Sequence, residues 1–145
     1  MSKNSVYTRI SLLAIFFLTL HMTDDVIRKA DGADQGGLGS LFLLLVIVVW
    51  LYGILWLPER KSGYTVSLIV SLLVSVIPVA HLTGLAGDAL PGQIAATSGP
   101  FFVWVVWGLG VTVIPSLVFS AILLFSPTGE KIAAPSRAAA TSQLT

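Results

Sequence analysis

The apolar residues of this chain fall in four blocks separated by glycine, proline or charge, and no other feature limits the fold as strongly. Blocks of this length and composition are the pattern of transmembrane helices. A soluble domain carries about a quarter charged residues, whereas here 10% are charged and 55% hydrophobic. The expectation is an all-α integral membrane four-helix bundle. Its spans lie at about 8–29, 41–57, 64–82 and 101–125, forming one transmembrane domain over 1–126. Residues 127–145, rich in Ala, Ser and Pro, have no apolar face to bury and read as a disordered tail.

Lysine and arginine placement sets the orientation. Lys3, Arg9, Arg60, Lys61, Lys131 and Arg137 fall on one side of the expected spans, and only Arg28 and Lys29, beside four acids, on the other. Both termini are therefore expected in the cytoplasm, with the loops 30–40 and 83–100 outside. The partner is then a lipid bilayer, in a multi-pass arrangement suited to a bacterial inner membrane. A net charge of +1 argues against a nucleic-acid partner. A bundle this small encloses no wide aqueous pore by itself, which leaves room for a homo-oligomer or a larger membrane complex.

The first block poses a problem of length. The apolar run Ile10–Leu20 makes about 17 Å of helix at about 1.5 Å per residue, against about 30 Å of hydrocarbon. No small-residue cleavage site follows it, so it reads as an uncleaved first span and not a signal peptide. A helix that starts at Arg9 and crosses fully emerges near Arg28, which leaves His21, Asp24 and Asp25 below the outer surface. Asp24 and Asp25 follow His21 at i+3 and i+4, so both carboxylates neighbour the imidazole.

The third block ends in the same way as the first. His21-Met22-Thr23 and His81-Leu82-Thr83 each precede a Gly-rich loop and then a block with Val-Val-Trp, ending at Trp50 in one half and Trp107 in the other. A duplicated helical hairpin would place both imidazoles at one depth. Together, His21, Asp24, Asp25 and His81 form a candidate site for an ion, a proton or a small amphipathic ligand, and His21, Asp25 and His81 are candidate metal ligands. Two other readings compete with it. One is a membrane enzyme using the cluster as a metal or acid–base site. The other is a structural accessory subunit in which Asp24–Arg28 and Asp25–Lys29 merely lace a helix end at i+4 spacing.

The remaining patterns point to packing. Ser67, Ser71 and Ser75 form a small-residue stripe that lets a second helix approach closely, with Gly108 and the Ser116/Ser120 pair in the fourth block. Trp56 and Trp104 are expected at the membrane interfaces and Trp50 and Trp107 deeper, as packing residues. No cofactor motif is evident. The chain has no cysteine, which removes thiol chemistry and disulfides, and it carries no nucleophile elbow, phosphate loop or H-E-x-x-H signature.

Overall fold

The computed structural model describes residues 2–28, 38–85 and 91–126, with side chains for all of these except 25–28, 38, 40 and 91–98. The expected tail 127–145 and most of the acidic loop lie outside the described residues. Every element in them is helical: α1 (Lys3–Arg28), α2 (Leu38–Leu51) continued by a π-helical stretch (Tyr52–Trp56), α3 (Lys61–Thr83) and α4 (Pro91–Phe125).

Three helical segments are long and apolar enough to cross a membrane: Lys3–Asp24, Lys61–Thr83 and Gly99–Phe125. The second segment departs from expectation. Its apolar helix covers only Leu41–Trp56 and changes to π geometry at Tyr52. This stretch packs closely against the start of α3. A Cβ on Gly63 would collide with the backbone oxygens of Leu57 and Gly53, and one on Gly53 would meet Val66 at 2.9 Å. The two chain segments touch backbone to backbone. Pro58 then stops the helix, since the residue before a proline avoids the helical region, and the turn passes through Glu59 at φ 61°.

Gly84 ends α3 in the left-handed region at φ 84°, its N–H donating to the Ala80 carbonyl at 3.1 Å. Pro78 lies inside α3 against Gly110 of α4. The stretch expected as an outer loop is partly helical: the backbone is helical from Pro91, and Gly99 (φ 80°, ψ 166°) separates that turn from the long helix after it. Proline suits a first helical position because its missing N–H has no intrahelical partner there.

Helix α4 packs against both α1 and α3, and α2 lies at the edge against α1 and α3. The interior is layered. At the end carrying the N-terminus, Tyr7, Ser11, Ser67, Ser71, Ser116 and Ser120 are buried together with Trp50. Next comes an apolar layer of Ala14, Leu18, Val74, Leu109 and Val113. Beyond it lie His21 and Phe102. The outside is the reverse: Leu41, Leu45, Ile69, Leu72, Val76, Val111 and Ile114 are all exposed.

The serine stripe is only partly as expected. Ser67 and Ser71 are fully buried, but Ser75 is half-buried and donates to the Leu72 carbonyl of its own helix at 2.7 Å. One further helical turn has rotated it off the interface. Gly108 is a contact point, with the Phe17 ring lying where a Cβ would be.

Candidate functional site

The two histidines of the chain, on separate helices, meet. Their ring centroids are 5.4 Å apart in an edge-to-face arrangement, at 74°. α1 and α3 run in the same direction and in register, as the Ser11 and Ser71 contacts to Ser116 two layers below also show. That register carries His21 and His81 to the same level. The doubled His-aliphatic-Thr pattern thus corresponds to a real juxtaposition at this point.

The third member was not legible in the sequence. Phe102, on α4, sits 5.2 Å from the His21 ring and 5.3 Å from the His81 ring, so three helices contribute one ring each to a single cluster. Phe102 reads as an interfacial anchor in one dimension. Only the direction in which it leaves the helix, set three residues after the Gly99 break, reveals that it points inward.

His21 is 4% exposed, as is Phe102, while His81 is half-buried and lies nearer the surface. One turn along α1, Asp24 is half-buried. The side chain of Asp25 lies outside the described residues, as do those of Arg28 and Lys29, so the i+4 lacing of the helix end falls there too. Among the described residues, no three of His, Cys, Asp and Glu group closely enough to hold a metal ion.

The tryptophans do not follow the hairpin equivalence. Trp50 is fully buried and its Nε1–H donates to Ser67 Oγ at 2.8 Å. Trp107 is exposed on the bundle surface, as are Trp56 and Trp104, and so is not the interior packing residue expected. The Trp104 and Phe17 rings meet edge to face, centroids 5.2 Å apart, just below the histidine layer.

Chemically, two neutral imidazoles offer a lone pair and an N–H each. Two imidazolium charges 5.4 Å apart would repel by about 3 kcal/mol at an effective dielectric constant of about 20. Phe102 offers a ring to each imidazole as a packing partner.

A cavity of about 240 Å³ lies at the opposite end of the helices, lined by Ser2, Asn4, Tyr7, Glu59 and Tyr64 among others. Comparison with protein-family models, with curated proteins and with solved structures gives no match to this chain. The molecule is thus characterised by its own architecture: an all-helical bundle with three apolar helices of membrane-crossing length, a polar interior layer and one histidine pair.

Proposed function

We propose that this chain is a multi-pass membrane protein whose function centres on a proton shared by His21 and His81, with the charge of the pair coupled to how α1, α3 and α4 pack. The inverted distribution of polarity supports insertion. Hydroxyls are buried while leucine, isoleucine and valine cover the outside, an arrangement that would expose a large apolar patch to water but suits lipid. Hydroxyl groups on the helices also bond back to carbonyls three or four residues earlier, as in Thr19 to Ile15 and Thr83 to Val79, which satisfies them without water. Both termini are taken as cytoplasmic from the lysine and arginine distribution, in a bacterial inner membrane, and the histidine pair then lies toward the outer leaflet.

The observation that carries the proton reading is the meeting of two imidazoles from helices sixty positions apart in the chain, in an interior otherwise free of titratable nitrogen among the described residues. Ionisable groups placed at membrane depth are costly and mark functional positions. The test uses the absence of native cysteine: spin labels at Leu13→Cys and Leu73→Cys, both exposed positions, report α1–α3 separation in bilayers. Between about pH 8 and pH 5 the distance distribution shifts in the otherwise native protein and stays fixed when His21→Ala or His81→Ala is added. An identical distribution at both pH values contradicts the proposal.

An accessory-subunit role has one observation in its favour, the contact of Phe102 with both imidazoles, which alone would clasp three helices. In that case no pH-linked change occurs and a stoichiometric partner co-purifies.

A further inference from the structure

We propose that Tyr7, Ser11, Ser67 and Ser120 form a buried water-binding site, filled from the cavity at the N-terminal end of the bundle. This inference stands independently of the histidine pair. Tyr7 is 4% exposed, its ring held edge-to-face against Tyr64 at 5.5 Å. Its hydroxyl oxygen is buried and has no hydrogen bond of good geometry among the described residues, yet the side chains of Ser67, Ser120 and Ser11 lie near enough to act on it. A buried hydroxyl left in that condition is costly, and native structures satisfy such groups with protein or with water.

The hydrogen-bonding capacity around that point is what a water molecule requires. Ser67 Oγ accepts from Trp50 Nε1 at 2.8 Å, which leaves its own O–H to donate. The Ser120 O–H is already given to the Ser116 carbonyl at 2.7 Å, which leaves Ser120 Oγ as an acceptor. Ser11 shares a hydrogen bond with Ser116 at 2.7 Å and has a lone pair left over. With the Tyr7 O–H, these side chains offer two donors and two acceptors, which matches the two lone pairs and two hydrogens of water.

The supply route is adjacent. Tyr7 also borders the cavity of about 240 Å³ that Asn4, Thr8, Glu59 and Tyr64 help to line, room for several waters at about 30 Å³ each. Tyr7 therefore stands between that cavity and the serines, and Leu18, Val74 and Leu109 close the far side with fully buried apolar side chains. Water reaches the serine layer and stops there.

Water-edited solid-state NMR of the full chain in lipid bilayers tests this with water itself as the probe. Magnetisation from water is expected to reach the Tyr7 ring and the Ser11, Ser67 and Ser120 side chains several-fold faster than Leu18, Val74 and Leu109. Tyr7→Phe, which removes one of the four partners, is expected to slow transfer to the serines by a similar factor. Serines that build up no faster than Leu18 in the unsubstituted protein overturn the proposal, whatever the variant does. So does an unchanged serine build-up in a folded Tyr7→Phe protein.

Discussion

At the scale of single residues, this protein places its polarity inside. Ser116 joins Ser11 at 2.7 Å and Ser71 at 3.2 Å, so one hydroxyl links three helices. Interhelical hydrogen bonds in membranes are worth about 0.6 kcal/mol on average and about 1.7 at most. Ser116→Ala is therefore expected to destabilise the bundle within that range, measured by reversible unfolding in bicelles. Ser75→Ala, whose hydroxyl bonds only within its own helix, is expected to cost less than Ser116→Ala, and the opposite ranking would contradict the layered interior. Ser67, Ser71, Ser116 and Ser120 could be read from four-residue spacing. Tyr7 could not, because the residues before Ile10 look like a polar flank until α1 is seen to begin at Lys3, and Ser11 could not, because it is the lone serine in the apolar run Ile10–Leu20. The meeting of His21 with His81 was legible because a repeated tripeptide marks both. The role of Phe102 was not, since linear depth along a helix carries no information about the direction a side chain faces.

At the scale of elements, glycine contacts decide how closely the helices approach. Gly63 packs against the backbone of Leu57 and Gly53, atoms that cannot swing aside. Gly63→Ala is expected to cost about 1–3 kcal/mol, the usual range for overpacking, seen as a lower unfolding midpoint in the same bicelle assay. Gly110→Ala meets only Pro78, at 3.4 Å, and is expected to be milder. A Gly63→Ala protein as stable as the parent would mean that the π-helical stretch and α3 are not in such close contact. The second apolar block falls short of a regular span because Pro58 stops it. Composition alone shows only its Leu and Val content, not the shift to π geometry at Tyr52. Pro91 and Gly99 mislead in the other direction. They read as loop punctuation, but one opens a helical turn and the other separates it from the next.

At the scale of the whole molecule, the account requires insertion, a fixed orientation and one working site. Because the chain has no cysteine, Ser2→Cys and Ala33→Cys each create a unique label. In intact cells a membrane-impermeant maleimide is expected to modify Ala33→Cys and to reach Ser2→Cys only after lysis; the reverse pattern would invert the topology. The all-helical class and three helices of membrane-crossing length were legible from composition and hydropathy, whereas the meeting of the histidines depends on the register of α1 against α3. The most direct test of that site is a pH titration of the protein in bilayers with 15N-labelled histidine, followed through the imidazole resonances. The account predicts that His21 and His81 respond in one linked transition that takes up a single proton, and that His81→Ala alters the titration of His21. Two independent transitions, each taking up its own proton and neither changed when the other histidine is removed, would contradict it.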